Sequence, residues 1–338
     1  MLDFKVKIGL IPDVRDLFDF STRKGIFEPA KGVENKNKVL EYIKNNFSDE
    51  ITEFCDLEWL NDLGVVYKNF DCDRVCEYLR EQKVDAIFII NCNFGNEEVC
   101  GQIAKKMGLP VLLWGPQDMV FEPDGQRYTD CQCGLFAISK QLRRYGVPFS
   151  YIENCEVEDD IFKDGLHQFL SVVTMIKNFK EMRITQVGTR LNPFKSVMYN
   201  ELELMEKFGL NMQTVNMAVA EKHFNEIMET KQDKLKFSLA DLKEKYDVDG
   251  LDDALLTKML AFVNMYIEIF EETDSDVMAS ECWTAMPMAM GANPCLAMSI
   301  LYDMGYIVAC ESDIYGAITA ALLTCASRGK VAATFGEF

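Results

Sequence analysis

The chain has 338 residues, too long for one ordinary core and suited to two α/β domains of about 150 residues each. Hydrophobic residues make up 49% and charged residues 26%, a globular balance that excludes disorder as the default reading. Thirty-five basic against 54 acidic side chains give a net charge of −19, which repels phosphate backbones and anionic membranes and argues against nucleic-acid or membrane partners.

The start, Met1-Leu-Asp-Phe-Lys-Val-Lys7, has no basic n-region followed by an apolar h-region, so no secretion signal is expected. Apolar runs such as Ala86 to Ile90 and Ala317 to Leu323 fall short of the roughly 18 residues of a membrane helix. The 12 cysteines are scattered without a C-x-x-C pair, and there are only two histidines, His167 and His223. That spacing excludes a zinc ribbon or finger and predicts reduced thiols in a soluble cytoplasmic protein.

In chain order, Lys5 to Ile11 predicts a strand, and a helical pattern runs from Lys36 to Asn46. Cys72 to Gln82 predicts a helix, Ala86 to Ile90 a buried strand, Glu97 to Met107 a helix and Val111 to Trp114 another buried strand. Apolar runs without alternation, separated by helices, predict a parallel sheet. Helices are then expected near Gly134 to Tyr145 and from about Asp159 to Lys180. The alternation restarts at a strand over Ile184 to Val187, followed by a helix from Lys195 to Phe208 ending at Gly209, and a strand over Gln213 to Met217. Charge-rich residues 229 to 256 predict a solvated helical hairpin, Leu251 to Phe270 a long amphipathic helix, and Asp276 to Met278 a short strand.

Both halves open alike, with Arg15 following the first strand and Arg190 following the Ile184 strand. Ligands in open α/β sheets bind at the carboxyl ends of strands, which makes both arginines candidates, along with Asn91, Asn93, Trp114 and Gln117. The acids of the second half also stand where apolar strands end. Tyr306 to Cys310 predicts a buried strand, and Glu311 and Asp313 follow it at the start of an Ala-, Leu- and Ile-rich helix. Two carboxylates one residue apart point the same way if strand geometry persists, and with Glu281 on another strand end they form an oxygen-rich group suited to a hard cation, Mn²⁺ or Mg²⁺. Either acid alone would be read first as a helix cap, and it is the two together with Glu281 that favour a site.

The run Glu281-Cys-Trp-Thr-Ala-Met, then Asn293-Pro-Cys, Tyr302-Asp-Met-Gly and Ala309-Cys-Glu-Ser-Asp-Ile-Tyr-Gly-Ala resembles the central signature of the L-fucose/L-arabinose isomerase family. Gly188-Thr-Arg-Leu-Asn-Pro-Phe194, Asn200-Glu201, Phe208-Gly209 and Leu113-Trp-Gly115 agree, so the resemblance spans nearly the whole chain. It implies two Rossmann-like α/β domains with mainly parallel sheets, over 1–181 and 182–310, with 311–338 beginning an incomplete C-terminal domain. It also implies a homo-oligomeric aldose–ketose isomerase that moves a carbonyl between C1 and C2 of a monosaccharide through a cis-enediol. By the resemblance Glu311, Asp313 and Glu281 would be catalytic and hold Mn²⁺, and Arg15, Asn91, Asn93, Trp114, Gln117, Arg190 and Trp283 would bind the sugar. The family's upstream acid aligns near Trp283, at Ala285 in some relatives, with Glu281 the nearby substitute. Its metal-binding histidine lies in a later β-rich domain, a position matched by neither His167 nor His223. A second reading, a non-catalytic cytosolic sugar-binding or remnant protein, rests on the same pair of α/β domains.

Overall fold

The computed structural model describes residues 1–15, 27, 29–118, 127–230, 235 and 238–334. The chain divides into two compact units, residues 5–173, and residues 174–338 together with Met1–Phe4.

In the first unit the strands that lack polar alternation are the central ones, as burial on both faces requires. The elements are β1 (Val6–Asp13), α1 (Pro29–Phe47), β2 (Thr52–Cys55), α2 (Asp71–Glu81), β3 (Ala86–Asn91), α3 (Glu97–Met107), β4 (Val111–Trp114), α4 (Cys131–Arg144), β5 (Ser150–Tyr151) and α5 (Asp160–Phe179), the last crossing into the second unit. All five strands are parallel, in the order β2-β1-β3-β4-β5. One face of the sheet packs Leu10, Phe88 and Trp114 against α1 and α5, and the other packs Ile87, Ile89 and Leu113 against α2, α3 and α4. Local chemistry sets the helix ends. The Asn96 side chain accepts from the Glu98 and Val99 amides to start α3, and Gly108, at φ 63°, ends it in the left-handed region.

The second unit contains β6 (Arg183–Val187), a 3₁₀ turn (Lys195–Val197), α6 (Glu201–Phe208), β7 (Asn211–Val215), α7 (Met217–Thr230), α8 (Leu239–Lys245), α9 (Asp253–Thr273), β8 (Val277–Ser280), α10 (Ala285–Met290), α11 (Cys295–Asp303), β9 (Val308–Ala309) and α12 (Ile314–Ala326). Its parallel sheet has the order β7-β6-β8-β9. Helices α7, α9, α10 and α11 cover one face, where Phe262, Tyr266 and Met286 are buried, while α6 and α12 cover the other through Leu204, Ile314 and Ala317. The expected α/β class with parallel sheets is therefore the fold observed. Residues 314–326 pack against β8 and β9 within this unit.

Several boundaries differ from the sequence reading. The expected helix over Lys195 to Phe208 is a 3₁₀ turn followed by a separate α6, because the Asn200 side chain accepts from the Glu203 amide and starts a new helix there. The strand expected over Gln213 to Met217 lies over Asn211–Val215, and Met217 already opens α7. Asp252 caps the long helix and moves its start from Leu251 to Asp253. The short strands β2 and β5 gave no apolar run to read. Of the hairpin expected over 229–256, α8 and the start of α9 are seen, and residues 231–234, 236 and 237 lie outside the described residues. No helix among the described residues is long and apolar enough to cross a membrane.

Candidate functional site

The carboxyl ends of β6, β8 and β9 emerge together, because the parallel register sets Val187 beside Ser280 and Ala279 beside Ala309. The segments that follow carry Thr189 and Arg190, Glu281 to Trp283, and Cys310 to Asp313. Glu311 at φ 60° and Ser312 at φ 53° both take the left-handed conformation, sparsely populated for residues with a Cβ, and this turns the chain from β9 into α12. Asp313 then caps α12, its Oδ1 accepting from the Gly316 amide at 2.9 Å. Glu311 and Asp313 line one cavity of about 330 Å³, together with Cys295, Tyr302, Cys310 and Ala320. Ser312, between the two acids, has a buried Oγ without a hydrogen-bond partner among the described residues. Cap and cavity wall are thus both roles of Asp313.

Glu281 is placed differently. It is only 6% exposed, does not line the cavity, and accepts from the Thr189 amide at 3.0 Å and from the Thr284 hydroxyl at 3.4 Å. These bonds offset the desolvation of its charge and tie the loop after β6 to the loop after β8. Gly188, at φ 76°, makes room for this carboxylate, since a Cβ there would stand 2.6 Å from Glu281 Oε2. Arg190 closes its own loop, donating to the carbonyls of Leu191 at 2.6 Å, Asn192 at 3.1 Å and Phe194 at 3.2 Å. Trp283 is 54% exposed and meets Phe194 edge-on at 5.6 Å, so it offers an open aromatic face beside that loop. The neighbouring Cys310 thiol and the Glu311 amide hold Cys282 below the ordinary thiol range, against the opposing effect of its burial.

In the first unit, Arg15, Asn91 and Asn93 come together around the turn after β3. The Arg15 amide donates to Asn93 Oδ1 at 2.8 Å, its guanidinium donates to the Gly95 carbonyl at 2.8 Å, pairs with Glu97 and lies 4.5 Å over the Phe94 ring. Asn91 and Asn93 are fully buried, and Asn91 Nδ2 donates to the Phe94 carbonyl at 3.0 Å. Gln117 is exposed after β4, its amide donating to the Cys155 carbonyl at 3.1 Å. Trp114 is wholly buried with its ring 4.5 Å from Phe162, which leaves no face for a ligand. Residues 16–18 of the opening motif lie outside the described residues.

Asp13 was missed from the sequence. It ends β1, is fully buried, and both carboxyl oxygens accept from the Asn96 amide at 2.9 Å. Burial pushes its carboxyl up to about 7, against the opposing pull of the Asn96 amide, the Cys100 thiol and Arg15. The available signal was an acid directly after an apolar strand, the same pattern that singled out Glu311.

The oxygen donors of Glu311 and Asp313 suit a hard divalent cation. Among the described residues, no group of three or more His, Cys, Asp or Glu side chains stands at metal-binding geometry, so these two would provide part of a coordination shell.

Residues 20–180 match the family model for the N-terminal domain of fucose/sulfoquinovose isomerases. A sulfoquinovose isomerase of Priestia aryabhattai is 24% identical over 292 residues, covering 85% of this chain and 61% of that protein. One from Clostridium sp. is 23% identical over 253 residues, covering 73% of this chain and 53% of that protein. The chain thus spans between half and two thirds of the length of these relatives. Among solved structures, a solute binding protein from Bacillus halodurans with bound myo-inositol aligns over 96% of this chain and 89% of its own, at 14% identity. Its TM-score of 0.22 adds nothing to the fold described above. By its N-terminal match and its alignment with these enzymes, the chain is similar to the fucose/sulfoquinovose isomerases over most of its length.

Proposed function

We propose that this chain carries part of the active site of an aldose–ketose isomerase that moves a carbonyl between C1 and C2 of a monosaccharide through a cis-enediol. The observation that carries this reading is the cavity at the β9 edge with Glu311 and Asp313 on its wall. These two residues would hold Mn²⁺ or Mg²⁺, which when bound polarises adjacent sugar oxygens and acidifies the proton at C2. A carboxylate at this edge, Glu311 in this reading, moves the proton between the two carbons, while Asp313 orients against the amides of α12. Trp283 offers its exposed face to the apolar face of the ring. Arg190 and Glu281 act as positioning residues, because their hydrogen bonds fix the loops that carry Trp283 and the β8 end. Arg15 and Gln117 are proposed as sugar contacts from the first unit, completed in a homo-oligomer in the cytoplasm.

Mn²⁺ titrated into the purified chain by calorimetry tests the proposal, in parallel with Glu311→Gln and Asp313→Asn. Asparagine caps helices as well as aspartate does, so the second variant should keep its fold. Each variant should lose on the order of tenfold or more in Mn²⁺ affinity. Equal affinity in all three proteins would sink the metal assignment. Isomerisation followed by NMR should start with sulfoquinovose, the sugar named for the relatives, against a deoxy sugar lacking the sulfonate. Sugar binding without turnover, unaffected by Mn²⁺, would instead establish the non-catalytic reading.

A further inference from the structure

We propose that Asp13 keeps its proton in the folded chain and donates it to Asn91 Oδ1, forming a pH-sensitive latch between the ends of β1 and β3. Parallel pairing sets Asp13 directly beside Asn91, so the two side chains leave the same face of the sheet from strands about 4.8 Å apart. Both residues are fully buried. Gly95 marks how close they come, since a Cβ there would stand 2.0 Å from Asp13 Oδ2 and 3.4 Å from Asn91 Cγ. Asn91 Oδ1 has no hydrogen-bond partner among the described residues, a costly state for a buried acceptor. Asn91 Nδ2 is already committed, donating to the Phe94 carbonyl at 3.0 Å and the Cys131 carbonyl at 3.4 Å. Cys131 opens α4, which packs against β3 and β4, whereas β1 lies on the other side of β3. The amide therefore turns its nitrogen toward α4 and its oxygen back toward β1, where Asp13 stands. The reversed amide would press Oδ1 against two carbonyl oxygens.

The groups around Asp13 favour the neutral acid. Facing it are Arg15 beyond β1, Cys92 beyond β3, and Glu97 and Cys100 on α3, with Lys36 of α1 acting on Cys92. Burial raises both thiols, so neither carries charge near neutral pH. Arg15 and Glu97 pair with each other, which balances the positive charge beside Asp13. Burial of the carboxyl is then the largest effect on it, and raises it to about 7. Both carboxyl oxygens stand 2.9 Å from the Asn96 amide nitrogen, which the carbonyl oxygen of the neutral acid satisfies alone. Its hydroxyl is left for Asn91. Above about 7 the proton passes to solvent, and two acceptors face each other across the strand ends. The turn they support, Asn91 to Asn96, holds the Arg15 amide on Asn93 and its guanidinium on the Gly95 carbonyl. Opening the latch therefore loosens the seat of Arg15. Any effect on sugar contact rests on the function proposed above, whereas the latch itself does not.

NMR of the full chain, labelled in aspartate and asparagine and titrated from about pH 5 to about pH 9, tests the latch. The Asp13 carboxyl carbon, assigned through its own backbone amide, should move in one step centred at about 7, and the Asn91 side-chain amide should move with it. A carboxyl that stays ionised across this range, or an Asn91 amide that ignores the Asp13 step, would overturn the inference. Asp13→Asn gives an independent readout, because its Nδ2 can donate to Asn91 Oδ1 and its Oδ1 can accept from the Asn96 amide at every pH. Its urea midpoint should match the parent's at about pH 5 and exceed it at about pH 8, where the parent has lost the proton. A midpoint below the parent's at both pH values would mean that an ionised acceptor is needed in this place, and would equally sink the latch. If the variant does not fold, the titration of the parent alone decides.

Discussion

Asp13 shows how much one buried acid can contribute to the pH behaviour of a fold. Its carboxyl is raised to about 7 by burial, with Arg15 and Cys100 opposing and Glu97 reinforcing that shift. Between the unfolded carboxyl value near 4 and about 7, the folded chain keeps a proton that the unfolded chain has released. Stability from this group is therefore full below that window, falls as pH rises through it, and levels off above about 7, by at most roughly 4 kcal/mol. Asp13→Asn keeps an oxygen for the Asn96 amide and removes the titration. Urea midpoints measured from about pH 5 to about pH 8 should lose most of their slope in the variant, and an unchanged slope would refute the assignment.

At the scale of elements, the first unit's polar turn depends on close packing between α4 and the residues after β3. Gly134, near the start of α4, leaves no space for a side chain, since a Cβ would stand 2.0 Å from the Phe94 carbonyl oxygen and 2.1 Å from Asn91 Nδ2. Gly134→Ala should therefore destabilise the chain by roughly 1–3 kcal/mol, although alanine is the better helix former. A thermal scan showing the variant as stable as the parent would contradict this contact. The cap of α6 is a milder case. Asn200→Ala removes the acceptor for the Glu203 amide and should cost about 1 kcal/mol by urea unfolding, because the helix has only eight residues to hold it.

For the whole molecule, the net charge of −19 acts on stability through self-repulsion. Raising NaCl from about 10 mM to about 200 mM shortens the Debye length several-fold and should raise the melting temperature by a few degrees. A fall would mean that ion pairs such as Lys36–Glu58 outweigh the repulsion. The same charge attracts divalent ions without specificity, which is why the Mn²⁺ titration belongs in salt near 0.15 M.

The parallel sheets were legible in the sequence because burial on both faces leaves an unbroken apolar run, as in Ala86 to Ile90 and Val111 to Trp114. Glu311 and Asp313 were legible for a related reason, as charges placed where such a run stops. The division of labour among the polar residues was decided only by the tertiary structure. Sequence position does not tell that Arg190 spends its donors on its own loop, that Glu281 holds the Thr189 amide, or that Trp114 is sealed against Phe162. Local pattern fixes whether a residue is buried in its own strand or helix, whereas hydrogen-bond partners across strands depend on register and on how each loop turns.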